Sequence, residues 1–178
     1  MEIRVAVNWA GSDDAQAMAE LKYDNLMFRV GTGELLLSPD EIEQEKVTQS
    51  SVADLANVLS NTNHEDYYLV ARNEEGVPVG YCRMTWRLEV QQFQFQQFYV
   101  RPDLLGKKIG GRIMNTALLV AQDGRYSATG VFLFTGDYNK KAQAMYEHWG
   151  FKHAGPNEST FEQHGERTVE WVKMVFVF

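Results

Sequence analysis

The chain has 178 residues, 44% of them hydrophobic, with a formal net charge of −7 and one cysteine. That length makes most simply one domain, residues 1–178, with a full core. The negative charge argues against broad binding to nucleic acid or to an anionic membrane, and no stretch approaches the ~20 apolar residues of a membrane span.

The single Cys82 excludes an internal disulfide and suits a reducing cytosol. No secretory signal pattern opens the sequence, so the expected location is cytoplasmic. Ile3, Val5 and Val7 alternate with Glu2, Arg4 and Ala6, the period of a strand. Gly11 breaks it, Ser12-Asp13-Asp14 supply an N-cap and an acidic first turn, and a helix runs toward Phe28. Gly31-Thr32-Gly33 makes a turn, and Leu35-Leu36-Leu37 reads as packing. Ser38-Pro39-Asp40-Glu41 is a helix start with Ser as N-cap, Pro at the first position and Glu closing a capping box. A half-exposed helix over 42–49 and a further helical piece over 52–59 follow, before a polar loop containing His64.

Residues 67–72 read as a strand, 73–76 as a hairpin turn, and 77–88 as the returning strand, with Cys82 in its apolar pattern as a core residue. Arg87-Leu88-Glu89 is a tight corner into the next strand, whose later part alternates Phe and Gln before Phe98-Tyr99-Val100. Pro102 and Asp103 stop it. A turn rich in glycine and lysine, Leu105-Gly106-Lys107-Lys108-Ile109-Gly110-Gly111, then opens into an amphipathic helix from Arg112. Helix first-turn N–H groups lack intrahelical partners and sit at the positive end of the dipole, so this pattern is an anion cradle. Its spacing is neither that of G-x-x-x-x-G-K-[ST] nor that of G-x-G-x-x-G with a later acidic residue. A strand over 130–135, a helix capped by Asp137-Tyr138-Asn139 and ended by Gly150, a strand from Phe151, a polar hairpin loop over 155–167 and an apolar strand over 169–178 complete the chain.

Two segments carry a resemblance: V-R-P-x-x-x-G-K-x-I-G from Val100, and Asn139 to Phe151, which reads N-x-x-A-x-x-x-Y-x-x-x-G-F. Together and in this order they resemble the GCN5-related N-acetyltransferase (GNAT) superfamily, well over residues 65–178 and in outline before that. The resemblance implies an α/β (α+β) fold. It has a central mixed, mostly antiparallel sheet of about seven strands flanked by helices, with a splay between two parallel central strands. It implies acetyl-CoA (coenzyme A) as cofactor, its pyrophosphate held by the turn Leu105, Gly106, Lys107, Lys108, Ile109, Gly110 and Gly111. It also implies pantetheine pairing along Phe98, Tyr99 and Val100, Asn139 facing the cofactor, and Tyr146 near the sulfur as general acid. This chain departs from the family pattern where Leu105 replaces a Gln or Arg, where Lys108 replaces the first motif glycine, and where Gln94 stands in place of a glutamate base.

Such a protein transfers an acetyl group from acetyl-CoA to a primary amine of a small molecule by direct attack in a ternary complex. A peptide or protein N-acetyltransferase, and a non-catalytic acyl-CoA-binding module, are the alternatives. An alkylamine of pKa near 10.4 is mostly protonated at neutral pH, so its proton must be accepted during attack. Tyr146, with a phenol that stays protonated at pH 7, suits protonation of the leaving thiolate. Glu89 is the acidic candidate for the base; Glu147, His148 and His153 are weaker ones, and the row Gln92, Gln94, Gln96 offers a water path instead. No His, Cys and Asp spacing suits a metal. The apolar final strand can pair across a homodimer or sit as an edge strand within one chain.

Overall fold

The computed structural model describes residues 4–33, 35, 37–61, 65–155, 158–164 and 167–178. In chain order the elements are β1 (Ala6–Trp9), a 3-10 turn (Ser12–Asp14), α1 (Ala15–Gly31), α2 (Pro39–Gln44), α3 (Gln49–Ser60), β2 (Asp66–Arg72), β3 (Pro78–Arg87) and β4 (Gln92–Val100). Then come a second 3-10 turn (Pro102–Leu104), α4 (Ile109–Gln122), β5 (Gly130–Gly136), α5 (Lys140–His148), β6 (Lys152–His153), β7 (Thr160–His164) and β8 (Arg167–Val177). Glu2 and Ile3 of the expected first strand, Leu36 and His64 lie outside the described residues.

Among the described residues the sheet has eight strands in the order β1-β2-β3-β4-β5-β8-β6, with β7 pairing on β8. It is the mixed, mostly antiparallel sheet that the sequence implied: β4 and β5 are parallel, while β1 with β2 and β8 with each of β5, β6 and β7 are antiparallel. The extra strand is β7, which forms inside the stretch read as a polar loop. Its residues Thr-Phe-Glu-Gln-His lack an apolar alternation in sequence and pair with β8. The final strand is not an edge. It pairs with β5 through Trp171–Val177 and with β7 and β6 on its other side, so the edge once available for pairing across a dimer is occupied along most of its length.

The chain divides into two compact units. The first is Met1–Met84 with Gln97–Ala117, and the second is Thr85–Gln96 with Leu118–Phe178. Both are discontinuous, because β3, β4 and α4 each contribute to both.

In the first unit, Met18 and Leu21 of α1 pack on Tyr68, Val70 and Tyr81 of β2 and β3, with Leu55, Val58 and Leu59 of α3 and Tyr99 of β4 closing the cluster. Burial of a side chain such as Met18 or Leu21 is worth ~1.5–3 kcal/mol. Polar ties fix the frame. The Asp14 carboxylate accepts the Gly11 N–H at 2.7 Å and pairs with the Arg72 guanidinium at 2.5 Å, joining the start of α1 to the end of β2. Gly80 on β3 is required by close approach, since a Cβ there would stand 2.8 Å from the Tyr99 carbonyl oxygen. The capping box at Ser38 forms as read: its hydroxyl accepts the Glu41 N–H and the Glu41 carboxylate accepts the Ser38 N–H. The helix it starts ends at Gln44, earlier than the expected 49, because Thr48 begins a new one by accepting the Ser51 N–H at 3.0 Å.

In the second unit, the parallel ladder matches Gln92–Phe95 to Gly130–Leu133, while β5 itself runs on to Gly136. Residues matched in register share a face. Phe93, Phe95, Val131, Leu133 and Met174 form a buried face, on which Phe151 packs against Phe95 and Phe176. Gln92, Gln94, Phe132, Phe134 and Lys173 lie on the other face.

Candidate active site

The glycine turn belongs to the first unit. Pro102–Leu104 forms the 3-10 turn that leaves β4, and the Arg101 guanidinium closes the corner on Asp103 at 2.7 and 3.0 Å, holding that carboxyl below the usual range. The Leu105 N–H donates to the Pro102 carbonyl and the Lys107 N–H to the Leu104 carbonyl, so these two amides serve the turn itself. Gly106 then takes φ +77° and Lys108 φ +63°. The left-handed Lys108 differs from the helical φ that a lysine would take without strain, and explains why a glycine suits this position better. From Lys108 the helix proper begins, with the Arg112 N–H reaching the Lys108 carbonyl at 3.2 Å.

Helical geometry leaves the amides of Ile109, Gly110 and Gly111 ahead of that first bond, directed out of the N-terminus of α4. Ile109 is 1% exposed and anchors the turn, while the side chains of Lys107 and Lys108 are exposed. A Cβ on Gly106 would meet nothing within 4 Å, so the turn opens to space rather than to packed protein. Left-handed Gly106 and Lys108, the open space at Gly106 and two lysines at a helix start fit a diphosphate.

The end of β4 is also in this unit. Tyr99 packs edge-on against Tyr81 at 5.3 Å, and burial pushes its hydroxyl up to about 12. The Val100 carbonyl already accepts a 2.7 Å hydrogen bond from the amide of Asn25, a buried residue of α1 that the apolar reading of that helix missed. Gln97, with φ +46°, puts a left-handed residue inside β4, and such a residue bends a strand and interrupts its pairing.

The remaining candidates lie in the second unit. Asn139 is the N-cap of α5, its side-chain oxygen accepting the Ala142 N–H at 3.1 Å. Tyr146, half-buried, lies on the same helix and packs edge-on against Trp149 and Phe151. Gly150, at φ +94°, ends the helix as expected, with the Gly150 N–H on the Glu147 carbonyl and the Phe151 N–H on the Tyr146 carbonyl. Glu89 stands exposed in the turn between β3 and β4. Glu147 and His153 are exposed and meet each other at 3.1 Å, and His148 is exposed at the end of α5. Gln94, in the place of a family glutamate, accepts two hydrogen bonds from Arg87, at 3.0 and 2.8 Å. Nothing in the sequence marked Arg87 as its partner.

Cys82 is fully buried, and burial pushes its thiol up to about 12, which leaves it unreactive. Among the described residues no three His, Cys, Asp or Glu side chains gather as a metal site, and no helix is long and apolar enough to cross a membrane.

The fold is shared with solved structures. PaiA N-acetyltransferase from Thermoplasma acidophilum, solved in complex with coenzyme A, superposes with a TM-score of 0.76 at 17% identity, over 99% of this chain and 100% of that one. A spermidine N-acetyltransferase from Vibrio cholerae, solved with CoA and spermine, superposes with a TM-score of 0.73 at 16% identity, over 97% of this chain and 95% of that one. No curated protein matches in sequence. The model of the acetyltransferase (GNAT) family matches residues 34–151, which hold β2 to β5, the glycine turn and α5. The chain belongs to that family.

Proposed function

We propose that the chain transfers the acetyl group of acetyl-CoA to a primary amine of a small molecule, by direct attack in a ternary complex. The observation that carries this is the turn Leu105–Gly111, whose two left-handed residues and open first-turn amides at α4 suit a diphosphate. On this reading the amides of Gly106, Lys108, Ile109, Gly110 and Gly111 hold the pyrophosphate, and Lys107 and Lys108 add charge. Bound there, acetyl-CoA supplies an activated thioester carbonyl. The strand end Phe98, Tyr99 and Val100 pairs with its amide arm. Tyr146 would donate a proton to the departing sulfur, and Asn139 would face the cofactor.

Glu89, exposed in the turn between β3 and β4, is the candidate to accept the amine proton, and a water path along Gln92, Gln94 and Gln96 is the alternative, since Gln94 itself cannot take a proton. That the spermidine enzyme and PaiA, which share the fold, are N-acetyltransferases supports an amine acceptor.

Calorimetric titration with acetyl-CoA, followed by CoA release against a panel of primary amines, tests the reading. Micromolar binding with amine-dependent release is the expected result, and absence of binding at millimolar ligand overturns it. Tyr146→Phe is expected to lower turnover by about 10²-fold while keeping acetyl-CoA affinity. An unchanged rate removes Tyr146 from the acid role.

A further inference from the structure

Arg87 differs from the other well-paired arginines of the molecule. Arg72, Arg83, Arg101 and Arg125 each meet an aspartate, Asp14, Asp66, Asp103 and Asp123 respectively. Arg87 instead directs Nε–H and Nη2–H onto one neutral oxygen, Oε1 of Gln94, at 3.0 and 2.8 Å. Among the described residues no carboxylate pairs with it. A half-buried guanidinium without a countercharge is costly, and two bonds to an amide orient it without neutralising it.

Its surroundings say what would complete it. Gln94 is matched in register to Phe132, one residue before the final pair of the parallel ladder, Phe95 with Leu133. Phe132 and Phe134 meet edge-on at 5.9 Å, and the Lys173 ammonium lies 5.0 Å from the centre of the Phe132 ring, paired with Glu158 at 2.6 Å. The opposite face at this point is closed, with Phe93 at 0% and Phe95 at 4% exposure. A ligand lying over the Gln94 and Phe132 face would meet a fixed guanidinium beside an aromatic floor.

We infer that Arg87 is an acceptor-recognition residue, and that the acceptor is a primary amine that also carries a carboxylate or comparable anionic group. Held by Gln94, the guanidinium offers its remaining N–H groups to the anion, which leaves the amine end free to reach the thioester. This inference rests on the acetyl transfer proposed above.

The test compares 4-aminobutyrate with 1,4-diaminobutane, which differ at the end remote from the reacting amine. The wild type is expected to favour 4-aminobutyrate in kcat/KM. Arg87→Met is expected to lower that preference about tenfold or more, through KM, because a charge-assisted bidentate contact is lost. Arg87→Lys, which keeps the charge without the planar fork, is expected to restore part of it. A wild-type preference for the diamine, a ratio unchanged within about twofold in Arg87→Met, or turnover of neither amine overturns the inference. Acetyl-CoA titration of each protein separates the levels. Normal binding with an unmoved ratio defeats only the role of Arg87, whereas no binding by the wild type defeats acetyl transfer itself.

Discussion

Lys108 holds a long side chain at φ +63°, a backbone region that L-residues enter at a cost of ~1–2 kcal/mol and glycine enters freely. The strain sits in the turn that presents the amides of α4, where a misplaced N–H would cost binding. Lys108→Gly is therefore expected to raise stability by up to ~1 kcal/mol, after the extra unfolded-state freedom of glycine is counted. Urea unfolding would show this as a higher midpoint at unchanged slope, while acetyl-CoA affinity should fall modestly, because the substitution keeps the amide but removes one lysine charge from the turn. A lower midpoint would mean that contacts of the lysine side chain outweigh the backbone strain. The residue was legible in the sequence as a departure from a glycine pattern, but its conformation was not, since φ depends on how the turn closes through Leu104 and Arg112.

At the scale of elements, caps decide where helices begin and end. Asn139 starts α5 through a side-chain bond to Ala142, and Asn139→Ala is expected to cost about 1 kcal/mol in thermal unfolding. Gly150 ends the same helix at φ +94°, with space so limited that a Cβ would stand 3.0 Å from Cε2 of Phe176. Gly150→Ala is expected to cost ~1–2 kcal/mol, from left-handed strain together with that contact, measured in the same way. An alanine at either position that leaves the melting temperature unchanged would show that the cap is not limiting. Caps were readable because each is a local pattern: Ser38-Pro39 with Glu41, and Gly150 after His148. The end of α2 at Gln44 and the strand β7 were not, because the first depends on Thr48 competing for the next turn and the second on β8 lying alongside. The Arg87 contact with Gln94 is of the same kind, two residues on neighbouring strands with no local signature.

For the whole molecule, buried protonated groups link stability to alkaline pH. Burial raises the Tyr81 hydroxyl well above its ordinary value, and pushes the Tyr99 hydroxyl and the Cys82 thiol each up to about 12. In the unfolded chain these groups release protons near 10 for tyrosine and 9 for cysteine, while the folded chain keeps them. Between those values and 12 the unfolded state binds fewer protons, so stability falls as pH rises. The loss is about 1.4 kcal/mol per pH unit for each group inside its window, and the stabilisation is complete below pH 9. Denaturant titrations from pH 8 to 11 should show a falling midpoint with its onset near pH 9–10. A flat profile would mean that these side chains stay accessible to water. No such window could be drawn from the sequence, which located the three residues in strands but not the α1 and α3 cover that dries Tyr81.

The arrangement of β8 also has a consequence during synthesis. Its residues Trp171–Val177 supply one whole edge of pairing to β5, although thirty residues of chain separate the two strands. While the ribosome makes that intervening stretch, Val131-Phe132-Leu133-Phe134 waits as an apolar strand with an unfilled side. Unpaired edges of this kind are where nascent chains associate wrongly. Slowed translation between α5 and β8 would therefore lower the soluble yield, while a chaperone that shields extended apolar segments would raise it, with no change in the stability of the finished protein.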